Sequence, residues 1–92
     1  MRTLINGVRF HVEECGEGFP FLLLHGFTGS GAAWKPFCPA WGRHSRLIMP
    51  DLIGHGETDS PDDPARYDIT RAAEDLNTLL DRLGIEKTDL LG

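Results

Sequence analysis

Phe21-Leu22-Leu23-Leu24-His25-Gly26-Phe27-Thr28-Gly29-Ser30-Gly31 is the stretch that decides the fold. Four apolar residues run without alternation and then break into a loop with three glycines. A strand that is apolar on both faces belongs inside a sheet covered from both sides, the usual setting of parallel strands. A glycine-rich loop straight after such a strand stands where α/β folds gather their ligands, at the carboxyl ends of the strands.

On the amino-terminal side, Arg2 to Asn6 and Val8 to Cys15 form two strand-like runs broken at Gly7. Val8, Phe10 and Val12 alternate with Arg9, His11 and Glu13, which predicts one buried and one wet face. Asn6-Gly7 is a tight hairpin signal. Gly16 to Pro20 reads as a second turn. On the carboxyl-terminal side, a short helix is expected through Ala32-Ala33-Trp34, with Pro36 in its first turns. Trp34, Phe37, Cys38 and Trp41 recur at helical spacing and are expected to face the core.

Arg46 to Met49 is a second compact strand, stopped by Pro50-Asp51. Leu52 to Pro61 is too rich in glycine and proline to be anything but loop. From Ile69 the spacing changes: Ile69, Ala72, Ala73, Leu76, Leu79, Leu80 and Leu83 mark one face of an amphipathic helix. Asp68 or Thr70 can cap its start, and Gly84 ends it. Asp89-Leu90-Leu91 opens a further strand. Hairpin, buried strand, helix, buried strand, helix, strand is the order of an α/β domain with a mostly parallel sheet.

Composition fits one soluble globular unit: 92 residues, 40% hydrophobic and 25% charged, a mixture unlike disordered or collagen-like chains. The net charge of −5 and the lack of any Lys/Arg cluster argue against a nucleic-acid partner. The longest apolar run is far short of the ~20 residues that span a bilayer, and the start lacks the pattern of a signal peptide. A cytoplasmic protein with no membrane partner is expected. Cys15 and Cys38 lie in different elements and form no C-x-x-C, so both are expected to be reduced and buried.

Phosphate-binding motifs fail on inspection. Gly26 and Gly31 have P-loop spacing, but Ala32-Ala33 stand where Lys and Ser/Thr are needed. A dinucleotide fingerprint would need small residues at Trp34 or Asp59. His11, His25, His44 and His55 never fall at i, i+4, so no metal site is expected, nor any other cofactor. The loop at His25 fits a different chemistry. Where an acyl or carbanion intermediate places negative charge on an oxygen, a preorganised backbone N–H stabilises it by roughly 3–4 kcal/mol. Gly26 would let the chain turn, and the amide of Phe27 is the natural donor. A plain strand-to-helix connection accounts for the same glycines.

His25 to Ser30 after an apolar strand resembles the oxyanion loop of the α/β-hydrolase superfamily. Pro50-Asp51-Leu52-Ile53-Gly54-His55-Gly56-Glu57-Thr58 is similar to its loop after the following strand. Asp89-Leu90-Leu91-Gly92 resembles the run into the nucleophile elbow G-x-S-x-G. The likeness covers residues 1–92, read as the amino-terminal part of one α/β-hydrolase domain: a β-hairpin followed by a mostly parallel sheet with flanking helices. Within the superfamily, HGFTGS, DLIGHGETDSP and Arg66 to Gly92 are closest to the 2-succinyl-6-hydroxy-2,4-cyclohexadiene-1-carboxylate synthases of menaquinone biosynthesis.

That branch eliminates pyruvate from a cyclohexene precursor. The resemblance implies a Ser-His-Asp triad that abstracts a proton, and an oxyanion hole that holds enolate-like charge. On this sequence it implies the Phe27 backbone N–H as the catalytic group, with Gly26 and Thr28 beside the substrate, a small carboxylate. The serine would stand two positions past Gly92, with the other triad members and the second oxyanion donor later still. His25 and His55 are implied to orient loops. Two further readings stand beside the lyase: a serine hydrolase of carboxylic esters or carbon–carbon bonds, and a non-catalytic chain that binds a partner through an open sheet edge. Without the remaining strands of the fold, this chain alone is expected to be poorly stable.

Overall fold

The computed structural model describes residues 1–26 and 29–92. Its centre is a five-stranded sheet built from β1 (Arg2–Ile5), β2 (Val8–Cys15), β3 (Phe19–Leu23), β4 (Ser45–Pro50) and β5 (Asp89–Leu91) in the order β1-β2-β4-β3-β5. β1 and β2 form the antiparallel hairpin, turning where Asn6 (φ 49°) and Gly7 (φ 82°) both take left-handed backbone. β2 runs antiparallel to β4, while β3 lies parallel to β4 on one side and to β5 on the other.

β3 and β4 divide their side chains between two cores, as period-two geometry requires. Leu22 and Ile48 join Val8, Phe10 and Val12 on one face, under α2 (Ile69–Arg82). Leu23, Leu47 and Met49 face the other way, toward a 3-10 helix (Gly31–Phe37) and the one-turn α1 (Cys38–Trp41). α2 lays Leu76, Leu79, Leu80 and Leu83 on the sheet. It closes where Gly84 (φ 71°) lets the Ile85 amide return to the Leu80 carbonyl at 2.9 Å. No helix among the described residues is long and apolar enough to cross a membrane.

Several expectations are corrected. Cys15 and Cys38 are joined as a disulfide rather than reduced, and both are half-buried rather than fully buried. Their Cα atoms lie 6.3 Å apart because α1 runs alongside the carboxyl end of β2. Chain spacing gives no sign of the contact, which forms only where both cysteines pack against Leu23, Leu47 and Met49 on one face of the sheet. Phe19 and Pro20 belong to β3, not to a turn: parallel pairing with Ser45 and Arg46 extends the strand. Pro50 is likewise in β4, at its last position, where it ends the pairing with β2. Phe37 is 41% exposed and stacks on Trp41 instead of filling the core. Ile69 is 84% exposed at the first turn of α2, ahead of the packed stripe. Asp68 is the N-cap residue by backbone, but its side chain makes no capping bond.

Candidate functional site

The topology fixes where a site can form. From β3 the chain crosses to β4 on one side, and from β4 it returns through α2 to β5 on the other side of β3. The strand order therefore reverses between β3 and β5. A crevice opens at the carboxyl ends of strands at such a point. The Leu24 amide donates to Leu91 O at 2.8 Å, so His25 and Gly26 emerge beside the end of β5.

His25 ties the two glycine-rich loops together. It is buried, and its Nε2 accepts the Leu52 amide at 2.9 Å. That bond leaves Nδ1 as the protonated nitrogen, which donates to the Gly26 carbonyl at 2.7 Å. The Gly26 carbonyl also accepts the Gly29 amide at 3.0 Å. The His55 ring lies against that of His25, with centroids 4.9 Å apart, and its Nδ1 bonds Ile53 O at 2.9 Å. Both histidines are thus committed to holding loop backbone.

Asp51, which stands in the sequence as a strand stop, is the second tie. Its carboxylate is buried; Oδ1 accepts the Gly31 amide at 2.6 Å and Oδ2 accepts the Glu57 amide at 2.9 Å. Thr58 Oγ1 donates to Asp51 O at 2.6 Å and accepts the His11 amide at 3.0 Å. Two glycines make room for this. A Cβ on Gly31 would stand 2.4 Å from Met49 O, and one on Gly56 (φ 51°) would stand 2.3 Å from Asp51 Oδ2. The signal that could have found Asp51 is a carboxylate at the end of a buried strand between two glycine loops full of backbone donors.

Of the residues singled out from sequence, Gly26 is exposed, and a Cβ there would meet nothing within 4 Å among the described residues. Its φ is not in the left-handed region. Phe27 and Thr28, the other two, lie outside the described residues. Alongside, a cavity of about 460 Å³ runs from Leu52, Ile53 and His55 to Tyr67 and the first turns of α2. Its lining is apolar apart from His55, Tyr67 and Asp75.

Asp75 belongs to a buried network that the helical pattern hid. Arg66 Nη1 and Nη2 donate to its two oxygens at 2.8 Å each, and Asn6 Nδ2 adds a third bond at 2.9 Å. The pair fastens the segment after the β4 loop to α2, and α2 to the hairpin turn. A charged residue inside an apolar stripe was the available signal: Asp75 falls between Ala72 and Leu79 on the packed face.

Comparison with known proteins agrees with this architecture. Residues 20–92 match the family described as alpha/beta hydrolase fold, and the chain belongs to that family. A protein of Bacillus subtilis (strain 168), provisionally named 2-succinyl-6-hydroxy-2,4-cyclohexadiene-1-carboxylate synthase, is 41% identical over 98% of this chain and 33% of its own length. Epoxide hydrolase 3 of Siraitia grosvenorii is also 41% identical, over 95% of this chain and 28% of its own. The crystal structure of epoxide hydrolase VrEH1 from Vigna radiata superposes with a TM-score of 0.91 at 35% identity, covering 98% of this chain and 30% of that one. The chain therefore spans about a third of the length of the relatives it matches.

Proposed function

We propose that this chain supplies the oxyanion side of the catalytic centre of an α/β-hydrolase-fold lyase that eliminates pyruvate from a succinyl-cyclohexene carboxylate. The observation that carries the finer reading is the 41% identity, over nearly the whole chain, to the Bacillus subtilis protein named for the matching synthase. In this reading the Phe27 amide donates to the oxygen on which enolate charge develops once a base has taken the substrate's proton. A donor fixed before the reaction costs nothing to reorganise as that charge appears. His25 and Asp51 hold the flanking backbone at Gly26 and Gly31, and the bare face of Gly26 admits the substrate.

Hydrolysis is the second reading, favoured by the equal identity to epoxide hydrolase 3 and the fit to VrEH1. An apolar cavity beside His55 suits an uncharged substrate better than a polycarboxylate, which calls for arginines. The deciding experiment uses protein expressed from the complete reading frame. It is given the succinyl-cyclohexene carboxylate, an aryl epoxide and a nitrophenyl ester in parallel. Pyruvate release from the first supports the lyase. Diol or nitrophenol formation without pyruvate overturns it in favour of a hydrolase.

A further inference from the structure

We propose that Cys15 and Cys38 form a reversible thiol–disulfide site that governs how firmly the Gly31–Trp41 cover is held against the sheet. Three observations converge on it. The bond closes a covalent loop across 23 positions, and that loop contains all of β3, His25, Gly26 and Gly31. The element it anchors packs through half-buried side chains: Trp34, Cys38 and Trp41 lie against Leu23, Leu47 and Met49, while Gly31 is the one fully buried residue of the two helical turns. Both cysteines are half-buried, so neither is sealed inside the core.

Besides the packing of Trp34 and Trp41, the remaining ties are the Lys35–Glu13 ion pair at 3.2 Å and a few bonds at the flanks. The Glu17 amide donates to Gly42 O at 3.1 Å, and the Gly31 amide bonds Asp51 at 2.6 Å. Trp41 stacks on Phe21 with ring centroids 5.9 Å apart. Reduction would remove the covalent tie at Cys38, the first residue of α1, and leave the cover held by packing and the Lys35–Glu13 pair, while the core under α2 is untouched. The two states therefore differ in one cover and not in the fold.

The chemistry balances with a low-molecular-weight disulfide as oxidant. A thiolate from one cysteine attacks the small disulfide, forming a mixed disulfide and releasing one small thiol. The second cysteine's thiolate then attacks the mixed disulfide, closing Cys15–Cys38 and releasing the second small thiol. Both electrons lost by the cysteines end on the two small thiols, and the reverse sequence opens the bond.

The test equilibrates protein from the complete reading frame in buffers of graded reduced-to-oxidised glutathione ratio. Peptide mapping quantifies the Cys15–Cys38 cross-link, and hydrogen exchange follows residues 31–42. The expected result is a cross-link that forms and opens reversibly across the series. On opening, protection should fall at least roughly tenfold over 31–42 and stay unchanged at Val12 and Ile48. C15S and C38S should show the low protection at every ratio. A cross-link that never forms, one that persists at every ratio, or a reversible one without change in protection would each overturn the proposal. So would a serine variant whose protection still follows the glutathione ratio.

Discussion

The Asp51 carboxylate receives the Gly31 amide at 2.6 Å, joining two loops that are 20 residues apart in the chain. Its other oxygen takes the Glu57 amide, so one buried side chain fixes both glycine-rich loops at the head of the sheet. Replacing Asp51 with Ala leaves two backbone donors without partners. Hydrogen bonds to a charged group contribute about 1.5–3 kcal/mol each, so a loss of roughly 3 kcal/mol or more is expected by urea unfolding. Asp51→Asn should lose less, since one acceptor oxygen survives. Equal stability of D51A and wild type would contradict the clamp.

His25→Phe keeps the ring's volume but removes the acceptor for the Leu52 amide and the donor to the Gly26 carbonyl. The expected cost is about 1–3 kcal/mol, with faster exchange of the Leu52 amide than of the strand amides around it. Unchanged exchange at Leu52 would show that the histidine does not hold that loop.

The buried pair predicts an asymmetric mutant series. Asp75→Asn strands the Arg66 guanidinium in the interior and should cost about 3–5 kcal/mol. Replacing both partners with apolar residues of similar volume removes the uncompensated charge, so R66M/D75L should recover most of that loss. The Asn6 amide then loses its acceptor, which sets the part not recovered. Denaturant midpoints of the three proteins give the comparison.

Glu13 predicts a small acid dependence. Its carboxyl is held below the usual value by the hydrogen bond from His11 first, and then by Lys35. A carboxylate whose folded-state pKa is lowered contributes stability above its unfolded value, near 4.5, and loses it as pH falls through the folded value. The side chain is a third exposed, so the effect should stay below about 1 kcal/mol. Glu13→Gln should flatten the stability–pH curve below pH 4.5 and lower it by that same small amount near neutrality. A curve as steep as wild type would place the acid dependence elsewhere.

Much of the fold was legible because its signals are local. Apolar runs without alternation marked β3 and β4, Asn6-Gly7 marked the hairpin, and the spacing from Ala72 to Leu83 marked α2. What escaped depends on residues far apart in the chain. Phe19 and Pro20 join β3 only through pairing with β4, and Cys15 meets Cys38 only once α1 lies beside β2. Asp75 reads as the odd residue in an apolar stripe until Arg66 is folded against it. At the candidate site, Asp51 escaped because its partners are backbone amides and carry no side-chain signature.

The most direct measurement replaces the Phe27 backbone amide with an ester in the protein from the complete reading frame, removing one N–H and no side chain. If that amide holds the developing oxyanion, turnover falls roughly 100- to 1000-fold while KM stays within a few-fold of wild type. Turnover equal to the unmodified protein would contradict the account, leaving the His25 loop as a connection between β3 and the 3-10 helix.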